Sequence, residues 1–106
     1  METLTYRFEQ GQRKLGLGAG AQLVGVVSSG NLEVLVQSVD LQSACEIEIS
    51  TAATGFGAIW QAVMHDFNQR WQLADCRIAI NDMGATPAVV SLRMDQAIEA
   101  CLEQAK

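Results

Sequence analysis

Leu4, Tyr6 and Phe8 alternate with Thr5 and Arg7, a period of two that predicts a short strand near the N-terminus. It ends before the run GQRKLGLGAG, whose glycines predict a flexible connection. AQLVGVV follows, apolar and β-branched, then SSGN, then LEVLVQSV with Leu32, Val34 and Val36 on one face. Two such segments around a short polar stretch predict a hairpin. In ACEIEIST, Cys45, Ile47 and Ile49 oppose Glu46, Glu48 and Ser50, which predicts a strand with one face in water.

The period then changes. After Thr54, in GFGAIWQAVMHDFNQRWQL, Ile59, Val63, Phe67 and Trp71 recur every fourth residue, and Trp60 and Met64 widen the same stripe. This predicts an amphipathic helix lying on an apolar surface. CRIAIND returns to alternation, with Arg77 and Ala79 opposite Ile78 and Ile80, and NDMGATP supplies a turn. AVVSLRM reads as a returning strand with Ala88, Val90, Leu92 and Met94 inward, followed by a short helix with Ile98, Cys101, Leu102 and Ala105 on one face. The same residues also read as one long helix from Pro87, since proline suits the first helical position. The alternation and the preceding turn favour the strand. The predicted order is strand, hairpin, strand, long helix, hairpin, short helix. That is an α+β two-layer sandwich, a mainly antiparallel sheet with two helices on one face.

A length of 106 residues, 49% of them hydrophobic with one proline, predicts a single folded domain. Within it, residues 1–20 form the N-terminal strand and glycine-rich connection, and residues 21–106 form the core. Twelve Asp and Glu against seven Lys and Arg give a formal charge of −5, which argues against nucleic-acid binding. An acidic surface suits a protein partner with a basic docking face. Cys45, Cys76 and Cys101 are odd in number, widely spaced and without a Cys-x-x-Cys pair, so they read as small buried hydrophobes and signal no disulfide framework and no metal site. The N-terminal METLTYRFEQ has no charged start followed by an apolar run, and no stretch approaches the roughly 18 apolar residues of a membrane span. A cytoplasmic, non-membrane protein is expected.

The run GLGAGA fits a loose dinucleotide-binding pattern, but such a loop must open a helix, and AQLVGVV reads as a strand. His65 is the one histidine, and no serine or cysteine stands at a spacing that builds a local triad with it. Glu46 and Glu48 share the wet face of a strand, which reads as solvation rather than an acid and base pair. Trp60, Met64, Phe67 and Trp71 read as core, with one tryptophan open to a subunit interface. A self-sufficient active site does not assemble from these residues. What remains is a carrier function, in which the chain presents a covalent arm and other subunits do the chemistry. Biotin or lipoate would need a lysine at a hairpin tip, whereas Lys14 sits in the glycine-rich run and Lys106 ends the chain. The four-helix acyl carrier bundle and its helix-opening serine motif are absent. Ser28 and Ser29 in SSGN are left, either as ordinary turn residues or as an accessible hydroxyl at a hairpin tip, with Gly30 removing a side chain beside it.

VGVVSSGNLEVLV, EIEIST, GAIWQAVMHDF and INDMGATPAVVSLRMDQAIEA together resemble the acyl carrier (delta) subunits of malonate decarboxylase and, more distantly, the acyl carrier subunit of citrate lyase. The resemblance covers most of the chain. In those families a serine reached through a Gly and two apolar residues carries phosphoribosyl-dephospho-coenzyme A, a longer relative of phosphopantetheine, through a phosphodiester. The matching position is Ser29, after Gly25. The relatives commonly flank that serine with Gly and Asp. Here Ser28 precedes it and Asn31 stands two places after, which makes Ser28 a rival hydroxyl. The resemblance implies a non-catalytic carrier whose thiol holds acetyl and malonyl thioesters. Its implied partners are an acyl-transferase that exchanges malonate for acetate, decarboxylase subunits, and the transferase that attaches the group. The alternative is a structural or regulatory subunit of a complex without a prosthetic group.

Overall fold

The computed structural model describes residues 2–14, 22–29, 32–52 and 54–104. Among the described residues, seven strands and two helices follow one another as β1 (Glu2–Phe8), β2 (Arg13–Lys14), β3 (Gln22–Ser29), β4 (Leu32–Ser38), β5 (Cys45–Thr51), α1 (Gly57–Trp71), β6 (Leu73–Ala74), β7 (Cys76–Asp82) and α2 (Pro87–Gln104). The main sheet has the order β1-β5-β7-β4-β3. Three of its pairings are antiparallel, and β5 with β7 is parallel. Parallel neighbours need a crossover, and α1 supplies it.

Alternation along β4, β5 and β7 buries one face of the sheet, including Val34, Ile47 and Ile78, under both helices in one continuous core. The chain is thus an α+β two-layer sandwich and not a helical bundle, as expected. From α1 the core takes Trp60, Met64 and Phe67, while Val63 and Trp71 are half-buried and Ile59 is exposed. The opposite face is polar. There Glu46 on β5 accepts hydrogen bonds from Arg7 on β1 and from Arg77 on β7, the latter at 3.2 Å.

The segment AVVSLRM is a correction to the sequence reading. It is helical, the first part of a single α2 from Pro87 to Gln104. Val90, Met94 and Ile98 are fully buried while Leu92 is 52% exposed. Burial every fourth residue is a helical period, and the alternation of Ala88, Val90, Leu92 and Met94 was the coincidence of a locally apolar stretch. Among the described residues there is accordingly no second hairpin after β7.

The run GQRKLGLGAG is also less free than its glycines suggest. Gly11 N–H donates to the Ser43 carbonyl at 2.8 Å, and Gln12 and Arg13 both donate to Gln72, at 2.8 and 3.0 Å. A Cβ on Gly11 would sit 2.1 Å from the Leu73 carbonyl oxygen, so only glycine lets β2 lie in parallel against β6. Residues 15–20 lie outside the described residues. Among the described residues no helix is long and apolar enough to cross a membrane.

Candidate functional site

β3 and β4 pair from Gln22 opposite Ser38 to Ser29 opposite Leu32, with an irregularity between Leu23 and Gly25. The hairpin expected around SSGN is therefore present, and Ser29 is its last paired residue on β3. Gly30 and Asn31, which join the strands, lie outside the described residues. The two serines occupy different rows of the sheet. Ser28 pairs with Glu33, whose own partner on β7 is Asn81, and the Asn81 side chain donates to Glu33 at 3.1 Å on the polar face. Ser29 pairs with Leu32, which pairs with Asp82, which pairs in turn with Thr51. Leu32, Asp82 and Thr51 are all buried, so this second row closes one end of the core.

Asp82 organises that end. It is 2% exposed. Its Oδ2 accepts from the Thr51 hydroxyl at 2.9 Å, and its Oδ1 accepts from the backbone N–H groups of Gly84 at 3.1 Å and Ala85 at 2.7 Å. A side chain that caps its own turn at two and three residues on is a common turn device. Gly84 then takes a φ of 122°, which a side chain would oppose. The turn delivers the chain to Pro87, so α2 begins beside the end of β7. Because β5 and β7 are parallel, α1 begins at the same end. Phe56, Ile59 and Trp60 from the start of α1 face Asp82, Gly84, Ala85 and Pro87 across an open cleft of about 200 Å³. Phe56 and Ile59 stand on it 48% and 44% exposed.

The remaining sequence candidates do not converge here. His65 is exposed on α1 and stacks on Phe8 with ring centroids 6.1 Å apart. Arg77, and then Arg7, hydrogen-bond Glu46 and hold its carboxyl below the usual carboxylate range, while Glu48 is exposed in the same strand. The Trp71 indole N–H donates to Asp95 on α2 at 2.8 Å, and the Arg13 guanidinium lies 5.5 Å from its ring centre. GLGAGA lies outside the described residues, and the next described element is β3, a strand. Cys45 and Cys76 are both buried. The side chain of Cys101 lies outside the described part. Among the described residues no cluster of His, Cys, Asp and Glu could hold a metal ion.

Asp82, Thr51 and the cleft were not anticipated. The signal for the Asp82 turn, an Asp two places before a Gly, was present in NDMGATP. Its pairing with Thr51 across 31 positions was not readable from spacing.

The model of the malonate decarboxylase delta subunit (MdcD) family matches residues 20–101. The chain belongs to this family. Delta-subunit relatives share most of its length. The malonate decarboxylase acyl carrier protein of Xanthomonas euvesicatoria pv. vesicatoria is 67% identical over 99 residues, 93% of each chain. That of Stenotrophomonas maltophilia is 59% identical over 102 residues, 96% of this chain and 95% of the relative. The fold agrees as well. A chain in the crystal structure of a Pseudomonas malonate decarboxylase hetero-tetramer in complex with malonate superposes with a TM-score of 0.73 at 37% identity, covering 95% of this chain and 99% of that one.

Proposed function

We propose that the chain is the acyl carrier subunit of a malonate decarboxylase, non-catalytic in itself, and that Ser29 bears phosphoribosyl-dephospho-coenzyme A through a phosphodiester. The observation that carries the reading is the 67% identity to a relative named malonate decarboxylase acyl carrier protein. Ser29 fits such a group in its position. It is the last paired residue of β3, next to the turn that joins the two strands. Gly30 adds no side chain beside that oxygen. When bound, the group supplies a thiol that carries acetyl and malonyl as thioesters. The chain's own residues do the rest. The β3–β4 ladder fixes the point of attachment, and Asp82 and Thr51 hold the end of the sheet behind it. Attachment to a fixed point keeps the acyl group at an effective concentration on the order of millimolar around the assembled subunits.

The partners under this reading are an acyl-transferase that exchanges malonate for acetate, the decarboxylase subunits and the transferase that installs the group. The assembly of the Pseudomonas relative as a hetero-tetramer supports a multi-subunit setting. The cytoplasm is the compartment that suits such a thiol carrier. Coexpression with the prosthetic-group transferase and its cofactor-making partner tests the site. Intact mass should reveal one adduct on the wild-type chain and on Ser28→Ala, and none on Ser29→Ala. An adduct that survives Ser29→Ala would move the site to Ser28. A wild-type chain without any adduct, in an active complex, would favour a structural subunit with no group.

A further inference from the structure

We propose that the cleft between the starts of α1 and α2 is a resting berth for the acyl end of the arm on Ser29, and that it admits an acetyl thioester or free thiol but not a malonyl thioester. This rests on the carrier reading of Ser29. Three observations lead to it. Ser29 and Asp82 lie in one row of the sheet, separated by β4 alone. With strands about 4.8 Å apart, that puts the attachment point about 10 Å from the floor of the cleft. Moreover, the cleft opens at the same end of the sheet, beyond the last residues of β5 and β7. A tethered chain has to cover little more than one strand to reach it.

The second observation is size. At about 200 Å³ the cleft is smaller than the roughly 300–1,000 Å³ of ordinary cofactor pockets, so it suits the thin end of a chain and not a nucleotide. The third is chemistry. Phe56, Ile59, Trp60, Ala85 and Pro87 offer apolar contact to methylenes and a thioester. Asp82 is the acidic group in the lining, and its oxygens already accept from Thr51, Gly84 and Ala85. A malonyl end would bring a negative charge into an apolar cleft beside a carboxyl, which costs both desolvation and like-charge repulsion. Acetyl brings neither. The berth would thus shelter the product form and leave the malonyl form in solvent for the decarboxylase. Because the arm is tethered, an intrinsic affinity of only about millimolar is enough for substantial occupancy, and release stays fast.

The test uses the full chain loaded on Ser29, with loading first established by intact mass. Amide spectra are compared for the apo, free-thiol, acetyl and malonyl forms. Acetylation and the free thiol should shift Phe56, Ile59, Gly84, Ala85 and the Trp60 indole, and malonylation should return them toward the apo positions. Alkylation of the arm thiol by iodoacetamide should be roughly two- to five-fold slower than in Ile59→Asp, as expected when the effective concentration is one to four times the dissociation constant. Ile59 is exposed in the first turn of α1, where an acidic residue suits the helix, so this variant should fold. Phe56→Ser, which adds a capping hydroxyl at the N-cap, is the second blocking variant. Shifts confined to the strand ends at Ser29 and Leu32, with equal alkylation rates in all three proteins, would overturn the berth and leave the carrier reading intact. Cleft shifts that arise only on adding partner subunits would overturn it in favour of a docking surface. A chain that takes no adduct would remove the carrier reading and the berth together.

Discussion

Asp82 illustrates how little of a buried polar residue's role its neighbours in sequence disclose. NDMGATP reads as a turn, and it is one, but the carboxyl that makes the turn also reaches Thr51 on β5 and lies within the core's edge. Replacing it by alanine removes the acceptor of the Thr51 hydroxyl and of two backbone N–H groups. Asp82→Ala should therefore destabilise the fold by about 1–3 kcal/mol, the usual cost of leaving buried groups without partners. Thr51→Val removes the hydroxyl that donates to Asp82 and keeps the Gly84 and Ala85 bonds, so it should cost less, about 1 kcal/mol. Urea unfolding midpoints measure both. Equal costs for the two would mean that the Gly84 and Ala85 bonds add nothing. Ser29 is the opposite case. Its place at the hairpin was readable from local pattern, while the row it shares with Asp82 depends on which strands lie side by side.

The elements divide in the same way. Strands with a clean alternation, β4, β5 and β7, stand where their pattern put them, because a one-residue slip would turn every apolar side chain into water. α1 was legible from its four-residue stripe, although its centre lies on Trp60, Met64 and Phe67, with Ile59 left in solvent. α2 was misread at its start. Seven residues, five of them apolar, fit a period of two and a period near four equally well. What decides is the longer range, in which Val90, Met94 and Ile98 continue one face from Pro87 onward. The distinction is measurable. Met94→Ala should cost about 2–5 kcal/mol and Leu92→Ala within about 0.5 kcal/mol, by thermal or urea unfolding. Similar losses at both would restore the strand reading. The two-residue strands β2 and β6 had no period to read. Only Gly11, where nothing larger fits, marked their contact.

For the molecule as a whole, the class was visible and the strand order was not. Nothing in the spacing indicates that β7 inserts between β5 and β4, yet that insertion makes β5 and β7 parallel and brings both helix starts to the end of the sheet where Ser29 lies. It also aligns Arg7, Glu46 and Arg77 from three strands on the polar face. The Glu46 carboxyl is held below its ordinary pKa, first by Arg77 and then by Arg7. A carboxyl with a lowered folded value stabilises the fold at pH above the unfolded value of about 4.3, and that contribution is lost as pH falls through the lowered one. The unfolding midpoints of wild type and Glu46→Gln should therefore differ near neutral pH and converge in acid, and the difference should also shrink with added salt because the network faces solvent. A gap that is constant with pH would assign Glu46 a role other than charge.

Among the described residues β3 ends the main sheet and is paired on one side, to β4. Its sequence QLVGVVSS carries no charged residue, so it lacks the lysine or inward-pointing charge with which edges commonly discourage pairing with other chains. Purified without companions, the chain should therefore self-associate as its concentration rises, through intermolecular strand addition at this border. Sedimentation velocity over a concentration series should show this, and one unchanging species would count against it. Of the two described edge strands, β1 carries Glu2 and Arg7, so the strand that holds the serine is the less guarded against pairing with another chain.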